Sequence, residues 1–106
     1  MRMPLIFFAV GATLALGAPT AEAGDVAAGE ARYNVNCVNC HGRTGKGMAS
    51  FPPIRGRDAA YINDRLSKYR AREKIGPNSA IMMDLTKDLS DADIANLAAY
   101  VAETFQ

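Results

Sequence analysis

Both cysteines and the single histidine of this 106-residue chain fall within five consecutive positions, Cys37-Val38-Asn39-Cys40-His41. That concentration constrains the fold more than any other feature, because every thiol and the one imidazole must act at a single place. A disulfide closed across two intervening residues would be strained and reactive, a poor staple for a small domain. A redox-active Cys-x-x-Cys pair belongs in a strand–helix–strand setting, and no segment here sustains the period-two alternation that marks a strand. A structural zinc site wants four ligands; two thiols and one imidazole leave it short, with no second cysteine pair to complete it.

The pattern that remains, Cys-x-x-Cys-His, is the attachment signature of covalently held haem. Two thiols three residues apart reach the two vinyl groups of one porphyrin edge as thioethers. The next residue, His41, then stands under the iron as an axial ligand, and no other imidazole is available. The chain between helices points the same way. Gly42 to Gly56 and Gly76 to Asp88 read as long connections rich in glycine and proline. Loops of that length in so short a domain need something to wrap around.

The N-terminus reads as an export signal. Met1-Arg2 gives a positive start, Leu5 to Leu16 is an almost unbroken apolar run, and Ala21-Glu22-Ala23 is a small-x-small site. The run is well short of the roughly 20 apolar residues that span a bilayer. The expectation is a signal peptide at 1–23 cleaved after Ala23, a periplasmic domain at 24–106, and no stable membrane insertion after cleavage. The 83 residues left bury a limited core, and domains of that size lean on a disulfide, metal or cofactor. A formal net charge of +1 argues against nucleic acid as a partner.

Three helices are predicted, giving an all-α fold. The first runs from about Asp25 to Val35 with Asp25 as its cap, the second from about Asp58 to Ala71 with Asp58 as its cap. The third begins at Ser90-Asp91-Ala92-Asp93, which resembles a capping box with Asp in place of Glu, and Leu89 with Ile94 suits a hydrophobic staple. Ile94, Leu97, Ala98, Val101 and Phe105 then form an apolar stripe at helical period.

With these elements in place, the chain from Gly24 onward resembles the class I c-type cytochromes, and most of all short bacterial domains like those repeated in di-haem cytochromes. The resemblance rests on Cys37-Val38-Asn39-Cys40-His41, on Gly29 with Tyr33 in the first helix, and on Leu97-Ala98-Ala99-Tyr100 in the last. It rests also on the Phe51 to Gly56 stretch and the Leu-Ser-Asp-x-Asp start of the final helix. It implies a cytochrome c fold of three to five helices around one haem c, with Gly29 permitting a close crossing beneath Tyr33. The implied sixth iron ligand comes from the loop before the last helix, at the methionine seven residues before Leu89. That is Met82, with Met83 as the alternative. Met48 reads as a packing residue. The Pro52 carbonyl is the implied acceptor for the second ring nitrogen of His41, although Pro53 could shift it by one residue. Tyr61 and Tyr69 are candidates for the pocket wall, and Arg55 and Arg57 for propionate partners.

The function implied is one-electron transfer with His/Met-ligated iron, a ligand set that raises the reduction potential relative to two nitrogen ligands. No catalytic residue is expected. The partners would be a redox donor and acceptor met transiently. The alternative is a haem-bearing subunit of a flavocytochrome c sulfide dehydrogenase-type complex, bound to a flavoprotein. A haem enzyme or gas sensor would need the methionine side open. Charge is uneven along the chain: Arg65 to Lys74 holds five basic side chains against one acid, and Asp84 to Asp93 four acids against Lys87.

Overall fold

Asp25 opens the first helix, α1 (Val26–Asn36), by accepting from the N–H groups of Ala27 and Ala28, two of the donors that a helix start leaves unpaired. The computed structural model describes residues 9, 11, 12 and 24–106. The expected signal peptide at 1–23 thus lies outside the described residues, those three positions apart. Four more helices follow among the described residues: α2 (Val38–His41), α3 (Ala59–Arg70), α4 (Ser79–Thr86) and α5 (Asp91–Thr104). None is long and apolar enough to cross a membrane.

The expected caps form. The Asp58 carboxylate accepts from the Tyr61 N–H at 2.7 Å to start α3. At α5 the Ser90 hydroxyl accepts from the Asp93 N–H, and the Asp93 carboxylate accepts from the Ser90 N–H, each at 3.0 Å. Leu89 and Ile94 flanking this box are both buried. The far end of α3 closes without a glycine. Arg72 adopts φ 64°, its N–H donates to Tyr69 and the Glu73 N–H donates to Lys68, the two bonds of a Schellman ending.

The core is the apolar face of α5 set against α1 and α3, with α4 packed on α3. Tyr33 of α1 meets Tyr100 and Phe105 at ring-centroid separations of 5.4 and 5.2 Å, tilted in both cases. Tyr100 and Phe105 are edge-on at 5.6 Å. Such aromatic pairs each contribute about 0.5–1.5 kcal/mol beyond the area they bury. They meet because α1 and α5 touch backbone to backbone at Gly29. A Cβ there would overlap the Asn96 carbonyl oxygen and stand 2.8 Å from Tyr100 Cβ.

One expectation needs correction. The segment Gly76 to Asp88 was expected to be a connection, yet Ser79–Thr86 is helical. Its start escapes the usual signature. Asn78 makes no side-chain cap, and the Ser79 hydroxyl instead accepts backward from the N–H groups of Ile75 and Gly76 at 2.8 and 2.7 Å.

Two outcomes follow from this packing. Helix propensity alone favours Gly29→Ala by about 1 kcal/mol. The Asn96 overlap reverses that sign, and the variant should lose about 1–3 kcal/mol, the usual result of overpacking, seen as a lower midpoint in thermal or denaturant unfolding. The second concerns Asp93, held below the usual carboxylate range by the Ser90 backbone N–H first, and by the Ser90 hydroxyl and Arg32 as well, against some desolvation. A lowered folded pKa contributes stability above the unfolded value of about 3.9, and that contribution fades as pH falls through the folded value. Asp93→Asn should therefore be less stable than the parent at pH 7, with the gap closing as pH falls below the unfolded value. Denaturant titrations across pH measure it.

Candidate functional site

The Cys37–His41 segment is folded as a single turn. Cys37 ends α1 and caps α2, and the N–H groups of Cys40 and His41 both donate to the Cys37 carbonyl. Residues three apart on a helical turn share a face, so both thiols and His41 line one cleft. The cysteines are unbridged. Burial first, then the neighbouring Cys40, pushes the Cys37 thiol up to about 11 against the opposing pull of Arg32. A protonated, half-buried thiol is the reverse of the lowered-pKa nucleophile that disulfide exchange requires.

His41 is buried and fixed from two sides. Its Nδ1–H donates to the Pro52 carbonyl at 2.9 Å, which leaves Nε2 of the neutral ring with a free lone pair. Its own carbonyl accepts from the Gly47 N–H at 2.8 Å. Gly47 stands at φ 71°, where a Cβ would overlap the Phe51 carbonyl oxygen and lie 2.9 Å from that of Pro52. The acceptor for His41 is thus delivered by a tight loop that only glycine permits. One residue on, the Gly42 carbonyl accepts from the Tyr33 hydroxyl at 2.6 Å. Burial, with Cys37 and Tyr100 nearby, raises the Tyr33 phenol far above its ordinary value, so it stays a donor.

The cleft measures about 940 Å³, open mouth included, and its walls are mainly apolar. Leu66 and Tyr69 reach it from α3, Met82, Leu85 and Thr86 from α4, and Leu97 from α5. The Thr86 hydroxyl donates to the Met82 carbonyl at 2.7 Å and fixes that turn of α4. Met82 lines the cleft and Met83 does not. The sulfur expected on a loop is therefore carried by a helix.

Of the other sequence-predicted residues, Tyr69 lines the cleft and Tyr61 does not. Met48, expected to pack, is 51% exposed. Arg55 is outside the cleft, its Nε–H donating to the Gln106 carbonyl at 2.9 Å, and Arg57 lies over the Tyr61 ring. Sequence reasoning missed Asn36, Gly47 and Thr86. The glycine spacing after His41 was visible, but nothing in it indicated an approach to the Pro52 carbonyl.

These residues fit a covalently held haem c. The cleft has an apolar wall, two thiols on one turn, an imidazole with one nitrogen engaged and the other free, and a thioether. Asn36 Oδ1 is buried in the same lining with no partner among the described residues. Such an orphan acceptor is unusual in a self-sufficient core.

Comparison with known proteins agrees. The family described as "Cytochrome C oxidase, cbb3-type, subunit III" matches residues 24–101. Cytochrome c-554(548) of Halomonas halodenitrificans is 43% identical over 79 residues, covering 74% of this chain and 94% of that protein. Cytochrome c-554(547) of Halothiobacillus neapolitanus is 35% identical over 88 residues, with coverage of 76% and 97%. Among solved structures, reduced recombinant cytochrome c4 from Pseudomonas stutzeri superposes with a TM-score of 0.62 at 24% identity, over 80% of this chain. This chain spans about half the length of that one, with 53% covered, and the likeness shows the shared fold. On the family match and on relatives covered almost end to end, the chain belongs to the cytochrome c family and is an all-α, one-electron transfer protein with covalent haem c.

Proposed function

We propose that Cys37 and Cys40 hold the haem as thioethers, that His41 and Met82 are its axial ligands, and that the protein is a freely diffusing periplasmic electron carrier. The observation that carries the ligand set is the shared lining: these four side chains face one cleft and Met83 is outside it. When bound, haem c supplies a one-electron iron couple. The chain's own residues do the rest. Pro52 orients the imidazole through Nδ1 and raises its basicity. The apolar walls keep water away, and the Met82 thioether favours the reduced state. With the imidazole and the thioether assigned to the iron, both would be engaged in holding the haem and neither would be free to act on a substrate.

Diffusion as a separate carrier is supported by the relatives covered over 94% and 97% of their own length, which are single domains of this size. The family description itself names an oxidase subunit, and a flavoprotein-bound subunit is the second reading. Export is supported by the family match beginning at residue 24, one residue before the Asp25 cap. That is the boundary expected for cleavage after Ala23.

Two experiments test the assignment. The haem should stay with the protein through acid-acetone extraction and stain on a denaturing gel, and Cys37→Ser/Cys40→Ser should release it to the solvent. For the ligand, Met82→Ala should abolish the near-infrared sulfur-to-iron band of the ferric protein, lower the reduction potential and open the ferrous iron to carbon monoxide. Met83→Ala should leave all three nearly unchanged, and the reverse pattern would move the ligand to Met83.

A further inference from the structure

Ion pairing redistributes the basic charge of α3. Among the described residues four ion pairs engage Arg32, Lys68, Arg70 and Lys87. Lys68 is held by Asp64 at 3.0 Å, while Arg70 is held by Asp91 at 2.6 Å and by the Leu89 carbonyl at 3.1 Å. Two of the three cations on α3, and two of the five that a linear charge count puts on Arg65 to Lys74, are therefore committed within the protein. Arg57 and Arg65 are not, since no carboxylate lies within 4 Å of either among the described residues. Their guanidinium carbons lie 4.6 and 5.0 Å from the centroid of one ring, Tyr61, which is 36% exposed.

Two like charges gathered over one phenol repel each other, and the ring's quadrupole only partly offsets this. The nearby acids do not relieve it. Asp58 is turned to the start of α3 and Asp64 to Lys68. The arrangement suits a group that arrives from outside. Guanidiniums stacked on an aromatic face lose little freedom when they form paired N–H bonds to a planar anion.

We propose that Arg57, Tyr61 and Arg65 form a docking anchor for a carboxylate-bearing protein surface, that of the redox partner. The occupant rests on the electron-carrier reading above. A protein surface fits better than a lipid one. Along α3, Tyr61 is the one exposed large apolar side chain, and Asp58, Asp64 and Glu73 would meet like charge across a uniformly anionic bilayer. The position also suits electron exchange. Leu66 and Tyr69 of the same helix line the cleft, with Leu66 about 7.5 Å along the axis from Tyr61 and about 140° around it. A partner seated on the anchor lies against the helix that walls the haem site.

The test uses the haem-loaded protein and a short glutamate-rich peptide at low ionic strength, followed by NMR. Saturable binding should move the Arg57 and Arg65 side-chain resonances and the Tyr61 ring most. Arg57→Gln/Arg65→Gln should weaken it about tenfold, and Arg43→Gln/Lys46→Gln, which removes equal charge elsewhere, by less than about twofold. Tyr61→Ala leaves the net charge unchanged and should still weaken binding several-fold, whereas Tyr61→Phe should not. Equal losses from the two double variants, or no effect of Tyr61→Ala, would overturn the anchor in favour of general charge attraction. Binding to phosphatidylglycerol vesicles without binding to the peptide would overturn it in favour of a membrane. A protein that cycles normally between ferric and ferrous forms yet ignores the peptide loses the anchor and keeps the carrier reading. Failure to cycle overturns the carrier reading itself, and with it the redox partner as occupant.

Discussion

The contact on which the rest of the structure depends is the meeting of α1 and α5 at Gly29. With no Cβ on that residue, the two backbones approach until Asn96 and Tyr100 lie directly on it. That closeness joins Tyr33, Tyr100 and Phe105 into one aromatic cluster. Tyr33 then reaches the Gly42 carbonyl with its hydroxyl and fixes the chain just after His41. A packing feature far along the sequence thus becomes a positional constraint on the site. The interior adds its own condition, since a buried phenol must find an acceptor, and the acceptor it finds is in the motif.

The two sides of the cleft are held by different means. His41 is fixed by hydrogen bonds, through Nδ1 to Pro52 and through its carbonyl from Gly47. Met82 is fixed by its helix, whose turn is secured by Thr86 and which rests on α3. Directional bonds suit an imidazole, whose ligating nitrogen is set by what the other nitrogen does. A thioether has no such handle, so its place depends on the packing of the element that carries it. The proposed ligand set is therefore asymmetric in mechanical support as well as in chemistry.

Much of this was legible in the sequence, in proportion to how local each signal is. The caps at Asp25, Asp58 and Ser90 act within three residues, and they form. The thiols and His41 are adjacent in sequence, so no tertiary knowledge was needed to group them. The helix α4 was missed because its start is secured by Ser79 bonding backward instead of by a forward cap. The proposed choice of Met82 over Met83 needed the family spacing, since either neighbour offers the same atom. Asn36 carried no signal, because an asparagine near a helix end is ordinarily solvated. Arg70 has a partner, Asp91, that was identifiable only once the α3–α5 packing was known, whereas Asp64 and Lys68, four apart on one helix, were a local signal that went unread. Local chemistry is written in order along the chain, and pairing across elements is not.

The reach of the α1–α5 contact has a consequence in time. The Asp25 N–H donates to Asn96 Oδ1 across 71 positions of sequence, nearly the whole domain, and closing so long a loop is entropically costly and late. A chain made from its N-terminus has already delivered Cys37 and Cys40 when α5 does not yet exist. Until the last residues arrive, Tyr33 lacks its aromatic neighbours and the cleft lacks Leu97, Met82 and Thr86. The thiols spend that interval in open chain, accessible from all sides. The topology imposes an order: the thiols are made early and enclosed last.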